Sequence, residues 1–384
     1  MNAPASREET HDMEAVHAKL LEKRRVSRTL PPYRAALNSE VVETLNRFFA
    51  SEVPGSSVSD VRRVGGGASK EQFFFSLTAP GGDAERYILR MDPRAAITQT
   101  DRRREFEALK AFQGIVPAPE PIWLDAEGEH FGEPAVIMRT VNGVTKPSDA
   151  GLKVSGLGTS LGTDLRAKLR DQFIDNLIAV HALDWRTAHL PSFDVADGDP
   201  KQAARWSFNY WRDLWRADEG ETRPIFALAE QWLADNLPDT AELVFTHGDY
   251  RTGNYLFDEA SGRVTAILDW EMARIGDYHE DLGWVLMQIF GTFENGRFRA
   301  SDLFEREEFI TEYERRTGRS VNRRTLHYYD VMSSWKTYII VAANGMAAAR
   351  AQHNHQDVLL TFLATTGAMF ADDLCRLLGQ EVPS

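Results

Sequence analysis

Two aspartates and an asparagine are the residues whose types and spacing best suit chemistry in this sequence. They lie in His247-Gly248-Asp249-Tyr250-Arg251-Thr252-Gly253-Asn254 and at Asp269, fifteen residues beyond Asn254. The spacing His-x-Asp-x-x-x-x-Asn is that of loops that move a phosphoryl group from ATP to a hydroxyl. In such loops the Asp receives the hydroxyl proton, and the Asn holds Mg²⁺ with a second Asp further on. The assignment is a match to that pattern. A lone His-x-Asp would mean little; the ordered set of three oxygen-bearing side chains means more. His247 reads as a brace for the loop, not as a proton shuttle.

Short strands must hold these residues. Leu243-Val244-Phe245 is an apolar run that feeds the loop, and Asn254-Tyr255-Leu256-Phe257 is a second one. Asp258 to Gly262 is rich in turn formers, and Val264 to Leu268 is apolar and rich in strand-forming residues, ending at Asp269. The pattern predicts a β-hairpin. Folding it sets Asn254 and Asp269 side by side at its open end, since residues paired across a hairpin lie about 5 Å apart. Mg²⁺ takes one or two protein oxygens and completes its shell with water and phosphate, which suits one Asn and one Asp.

A second strand-turn-strand unit precedes it. Val61 to Val64 and Gln72 to Leu77 flank Gly65-Gly66-Gly67-Ala68-Ser69. Glycines let the backbone approach a phosphate and turn its N–H groups inward, so Gly65, Gly66, Gly67 and Ser69 are candidate nucleotide contacts. No G-K-[ST] follows, so this is not a Walker A loop. Tyr87-Ile88-Leu89-Arg90 is the next strand. Arg90 stands where such folds carry a phosphate-binding Lys, and Arg binds phosphate through two N–H groups. The helix predicted over Thr100 to Phe112 offers Glu105 or Glu107 as its partner, with Glu105 preferred. Two more strands, Ile122 to Leu124 and Pro134 to Met138, lead to a linker. Backbone groups from Met138 through Thr140 to Val141 are placed to bond an adenine edge.

The chain has 384 residues, enough for two lobes with their own cores. Its net charge of −13 argues against a duplex nucleic-acid partner. The single cysteine, Cys375, rules out a disulfide within the chain and reads as a small core residue. The N-terminus lacks an apolar signal core, and no stretch reads as long and apolar enough for a membrane span; the expectation is a cytoplasmic protein with no membrane partner. Residues 1–36 read as a mobile extension or an externally docked helix, and Gly151 to Gly162 as a mobile loop. From Asp164 onward the patterns are helical, and His181 reads as a packing residue. Trp206, Phe208, Tyr210, Trp211 and Trp215 form an aromatic stripe, either core or the wall of an apolar pocket.

The order of these features resembles the aminoglycoside phosphotransferase and choline kinase superfamily over about residues 37–375. The segments that carry it are the glycine hairpin, Leu89-Arg90, Arg104-Glu105, Met138, His247-Gly248-Asp249, Asn254, Leu268-Asp269-Trp270-Glu271, Gly276-Asp277 and Asp281-Leu282. Within it, HGDYRTGN and ILDWE look most like the subgroup related to the kinase domain fused to some acyl-CoA dehydrogenases. The resemblance implies an α+β, protein-kinase-like two-lobe fold. A small N-terminal antiparallel-sheet lobe would span 37–141, and a larger, mainly helical lobe 142–384. It implies ATP or GTP with Mg²⁺, and a hydroxyl-bearing small molecule as acceptor. By position, Asp249 is the base, Asn254 and Asp269 are Mg²⁺ ligands, and Arg90 and Glu105 are the phosphate-positioning pair. His247 and Asp281 brace the loop. Trp206, Tyr210, Trp211 and Arg274 are assigned to the acceptor pocket, and Trp206, Tyr210, Trp211 and Arg212 lean towards a hydroxy acid or hydroxyacyl-CoA over an aminoglycoside, macrolide or choline. A nucleotide-binding module without turnover, and a kinase of protein hydroxyls, are the other readings. The sequence leaves oligomeric state open.

Overall fold

The structure is a computed structural model that describes residues 12–27, 29–64, 70–93, 99–150, 156–218, 223–351 and 357–380. It has the α+β two-lobe architecture. Strands β1 (Ser57–Arg63), β2 (Glu71–Thr78), β3 (Ala84–Met91), β4 (Pro121–Asp125) and β5 (Ala135–Arg139) form one antiparallel sheet in the order β1-β2-β3-β5-β4. Strand periodicity divides its side chains between two faces. Phe73, Phe75, Tyr87, Leu89 and Ile137 pack on Val41, Leu45, Phe48 and Phe49 of a helix that precedes the sheet in sequence. Gln72, Phe74, Ile88, Arg90 and Met138 line a cleft on the other face.

The helices in chain order are α1 (Ala15–Ser27), α2 (Asn38–Glu52), α3 (Arg102–Ala111), α4 (Gly162–His181), α5 (Gln202–Asp218) and α6 (Pro224–Asp235). Helix α2 is the one that covers the sheet, and Asp101 caps α3 by accepting the Arg103 N–H. Two short pairs follow: β6 (Leu243–Thr246) with β9 (Arg274–Asp277), and the hairpin β7 (Tyr255–Asp258) with β8 (Arg263–Ile267). Then come α7 (Tyr278–Val285), the ribbon β10 (Thr292–Glu294) and β11 (Arg297–Arg299), α8 (Arg306–Thr317) and α9 (Arg323–Tyr338). A π-helical turn, Ile339–Asn344, joins α9 to α10 (Gly345–Ala351), followed by α11 (Asp357–Ala364) and α12 (Gly367–Leu378).

Two open readings resolve and two expectations change. In the N-terminal segment, Ala15–Ser27 takes the docked-helix reading as α1, and Glu14, fully buried ahead of it, bonds Arg104 of α3 and Arg274 of β9. The aromatic stripe forms a helix, α5, and the core reading holds: Phe208, Tyr210, Trp211 and Trp215 pack with Trp284, Met332, Trp335 and Phe370, and Trp206 is buried too. Cys375 is exposed, because α12 turns Phe370, Leu374 and Leu377 inward instead. Val358–Leu378 does have the length and mean hydropathy, 1.4, that would suffice to cross a membrane. A turn at Thr365-Thr366 divides it into α11 and α12. Of the predicted loop from Gly151 to Gly162, residues 151–155 lie outside the described residues.

Burial alone would raise the pKa of Glu14, but the charges of Arg104 and Arg274 help bring it down to about 2. Its stabilising contribution is therefore complete above its ordinary value of 4.5 and is lost as pH falls towards 2. Glu14→Ala would leave two buried guanidinium groups short of a partner and cost about 3–5 kcal/mol. Urea denaturation of the variant should show that loss, with a flatter stability curve between these pH values. A change below about 1 kcal/mol would contradict the anchoring.

Candidate active site

The catalytic-type loop runs from the end of β6 to the start of β7, and one carboxylate organises its entry. Asp281, on α7, accepts the backbone N–H of His247 at 2.7 Å and of Gly248 at 2.8 Å. His181 adds a third contact at 3.1 Å and is itself held by Tyr313 at 2.8 Å. Burial alone would raise the pKa of Asp281; the hydrogen bond and charge of His181 lead the contacts that keep it below the ordinary carboxylate value. Burial lowers the pKa of His247. Its Nε2 lies 3.0 Å from the Leu268 carbonyl, and its Nδ1 accepts the Asp249 N–H at 3.2 Å. That network assigns the neutral, Nε2-protonated tautomer, with the ring spanning the loop and the end of the hairpin.

Asp249 is held from three sides. The Trp284 indole donates to Oδ1 at 2.7 Å, Arg251 Nε donates to Oδ1 at 2.9 Å, and Asn254 Nδ2 donates to Oδ2 at 2.6 Å. Trp284 lies three residues past Asp281, so one face of α7 supplies both contacts. Asn254 Nδ2 also donates to the Asp249 carbonyl at 2.9 Å, which leaves Asn254 Oδ1 to face away as an acceptor. Hairpin register pairs Tyr255 with Ile267, and the Leu268 N–H bonds the Asn254 carbonyl at 2.8 Å. Asp269 is thus one residue past the pair, not opposite Asn254 as predicted. Its left-handed φ of 60° marks where the chain leaves the hairpin.

Arg90 reaches Asp269 from the sheet. Its Nη1 donates to Glu105 at 2.7 Å and its Nη2 to Asp269 at 2.6 Å, one guanidinium joining β3, α3 and the end of the hairpin. Burial would raise the pKa of Asp269, but Arg90 first and then Arg251 hold it down. Behind this pair Arg102 bonds Asp92 at 2.6 Å and also Glu105, while Lys70 bonds Asp92 at 2.8 Å and Thr100 at 2.7 Å. Glu271 lies 3.5 Å from Lys70, and its buried Oε2 has no hydrogen-bond partner among the described residues. The oxygens of Asn254 and Asp269 are the hard donors that Mg²⁺ prefers, and the donor set fits that ion.

These groups floor a cleft of ≈ 590 Å³. One side is lined by Ile88, Met138, Thr140 and Val141 and the other by Trp284, Phe290, Ile340 and Phe370. At the hinge the Thr140 N–H is already spent on Arg86 at 3.0 Å and that of Arg139 on Glu120 at 2.9 Å. Val141 donates no hydrogen bond among the described residues. Gly65, Gly66, Gly67 and Ser69 lie outside the described residues.

The acceptor-pocket residues named from sequence are elsewhere. Trp206, Tyr210 and Trp211 are buried in the core, Trp206 donating to Asp12 and Tyr210 stacking on His17. Arg274 is buried between Glu14 and Glu280. None of the four lines the cleft, because α5 turns this face to α1 and β9. Sequence reasoning also passed over Arg251, Trp284, Lys70 and Lys336. Arg251 had a signal, its place inside the loop motif. Lys336 lies 88 positions from the loop, where its Nζ reaches the Gly248 carbonyl at 3.4 Å and sits over the Trp284 ring at 4.4 Å.

Comparisons with known proteins agree with this fold. The model of the phosphotransferase enzyme family matches residues 60–319. Acyl-CoA dehydrogenase family member 11 of Gallus gallus is 27% identical over 319 residues, covering 76% of this chain and 38% of that protein. The chain thus spans well under half the length of such curated relatives. A candidate aminoglycoside phosphotransferase from Ralstonia eutropha JMP134 superposes with a TM-score of 0.62 at 21% identity, covering 87% of this chain and 97% of the other. A mutant of the aminoglycoside phosphotransferase APH(4)-Ia, in complex with ADP and hygromycin B, gives 0.55 at 16% identity, covering 88% and 100%.

Gly248 tests the loop geometry. It has φ +80°, and a Cβ there would lie 2.3 Å from the Met272 carbonyl oxygen. Gly248→Ala should cost about 1–3 kcal/mol from backbone strain alone and displace Asp249. Gly81, with φ +72° but nothing within 4 Å of a Cβ, is the control. Equal thermal shifts for the two alanine variants would contradict the assigned crowding at the loop.

Proposed function

The chain belongs to the phosphotransferase enzyme family, and on that premise we propose that it moves the γ-phosphoryl group of ATP or GTP to the hydroxyl of a small molecule. The observation that carries this reading is the convergence of Asp249, Asn254 and Asp269 on one cleft, with Arg90 reaching in from the opposite lobe. Asp249 accepts the proton of the attacking hydroxyl and aligns it. Arg90, kept in place by Glu105, turns from Asp269 to the phosphates. Asn254 and Asp269 are the residues that would hold Mg²⁺, which when bound supplies positive charge against the phosphate oxygens. The Val141 N–H and the neighbouring hinge carbonyls take the base of the nucleotide.

The acceptor we favour is a hydroxy acid or its hydroxyacyl-CoA thioester. Beyond Asp249 the cleft is walled by Trp284, Ile289, Phe290, Ile340, Val341 and Phe370, an apolar surface that suits an aliphatic arm. The cleft's acidic lining residues, Asp249, Asp269 and Glu271, all lie at its phosphate-facing floor. Among the described residues, an amine-rich aminoglycoside would find no further carboxylate along the apolar wall. The likeness to acyl-CoA dehydrogenase family members supports the same acceptor.

The test is ADP release with Mg-ATP and a panel of hydroxy acids, hydroxyacyl-CoA esters, aminoglycosides, macrolides and choline. One acceptor class should turn over, and Asp249→Asn should lower its kcat by at least about 10²-fold with nucleotide affinity nearly unchanged. Equal losses of turnover and nucleotide affinity would refute the role of Asp249. Nucleotide binding without turnover across the panel would favour a binding module.

A further inference from the structure

We propose that Lys336 is a positioning residue for the base: its ammonium group fixes the Gly248–Asp249 peptide and the Trp284 indole together, and so sets how Asp249 meets the acceptor hydroxyl. The inference rests on the phosphotransfer reading above.

Three observations carry it. First, this charge has no structural counterpart. Lys336 lies on α9, is 3% exposed, and makes no ion pair among the described residues. The other buried cations there, Arg24, Lys70, Arg90, Arg102, Arg104 and Arg274, each bond a carboxylate. A buried charge without such a partner destabilises a fold, and an apolar side chain of similar length would suit the core better. Burial lowers the pKa of Lys336, while the charges of Glu280, Asp249 and Asp281 favour its ammonium form.

Second, its one hydrogen bond is to the mounting of the base. Nζ donates to the Gly248 carbonyl at 3.4 Å. That carbonyl and the Asp249 N–H are the two ends of one peptide plane. The N–H end is held by His247 Nδ1 at 3.2 Å. The plane runs straight into the Asp249 Cα, so its rotation would swing the carboxylate. Gly248, at φ +80°, is where this backbone has most freedom to rotate. Lys336 and His247 together remove that freedom.

Third, the same ammonium lies over the Trp284 ring at 4.4 Å and the Trp211 ring at 5.3 Å. Trp284 donates its indole N–H to Asp249 Oδ1 at 2.7 Å. A cation on the ring face holds the indole in place and polarises its N–H as a donor. Lys336 thus acts on Asp249 by two routes, one through the backbone and one through Oδ1. It does not itself line the cleft, although its neighbour Thr337 does.

The experiment needs no acceptor. Slow hydrolysis of Mg-ATP, with water in place of the hydroxyl, is followed as ADP release for the wild type, Asp249→Asn, Lys336→Met and Lys336→Gln. Nucleotide affinity, thermal melting and the proton–nitrogen NMR signal of the Trp284 indole are measured on each, the signal being assigned by its loss in Trp284→Phe. Lys336→Met removes the charge and the donor but keeps the volume. It should melt within about 4 °C of the wild type, because loss of a buried charge offsets the carbonyl left unpaired. Its kcat should fall about 10- to 100-fold with the KM for ATP unchanged, and the Trp284 signal should move. Lys336→Gln can still donate to the Gly248 carbonyl without charge, and should keep an intermediate rate. Wild-type kcat in Lys336→Met would overturn the proposal while leaving the phosphotransfer reading intact. So would an unmoved Trp284 signal, or loss of the fold in both Lys336 variants, which would make the lysine purely structural. A wild type no faster than Asp249→Asn would overturn both.

Discussion

The fork of Arg90 between Glu105 and Asp269 is the contact on which the site depends. One guanidinium, its side chain 7% exposed, ties a strand, a helix and the end of the hairpin into a single charge array. Arg is suited to this where Lys is not, because its planar donors serve two carboxylates at once. Behind it Arg102, Lys70, Asp92 and Glu271 continue the alternation of sign. Buried charges of this kind persist only when paired, so moving any one of them disturbs the rest. Arg90 neutralises Asp269 in the structure as it stands, and in the proposed reaction it would turn to the phosphates.

The loop that carries Asp249 is fixed from the opposite side by Asp281, whose two oxygens take consecutive backbone N–H groups. Among the described residues, that arrangement leaves the Asp249 side chain to be positioned by Trp284, Asn254 and Arg251. The residue just ahead of α1 adds a third constraint, since Glu14 links the helix beside Arg90 to the strand that pairs with β6. Local geometry of the site is thus set by partners drawn from nearly the whole chain.

Local pattern explains what the sequence disclosed. The sheet strands and the hairpin rest on period-two alternation and turn residues, and the structure has them close to where pattern placed them. Arg90 and Glu105 were legible because a strand face and a helix first turn fix where each points. The Trp206-to-Trp215 stripe left two readings open, since an aromatic helix face packs equally well on a core or a cleft, and pattern does not say which. The actual apolar wall comes from Trp284, Phe290, Ile340 and Phe370, scattered over many elements. Glu14 was illegible because its partners lie 90 and 260 positions away. The π-helical turn at Ile339–Asn344, which sets Ile340 and Val341 at the cleft, has no sequence signature at all.

The account's central claim is that Asp269 is shared: held by Arg90 now, and given to a metal-bound nucleotide in the working enzyme. Calorimetric titration with ATP, with and without Mg²⁺, tests this in the wild type and in Asp269→Ala. The account predicts that Mg²⁺ tightens binding to the wild type by about 10-fold or more, and that Asp269→Ala loses most of that gain. An equal Mg²⁺ effect in both proteins would contradict it.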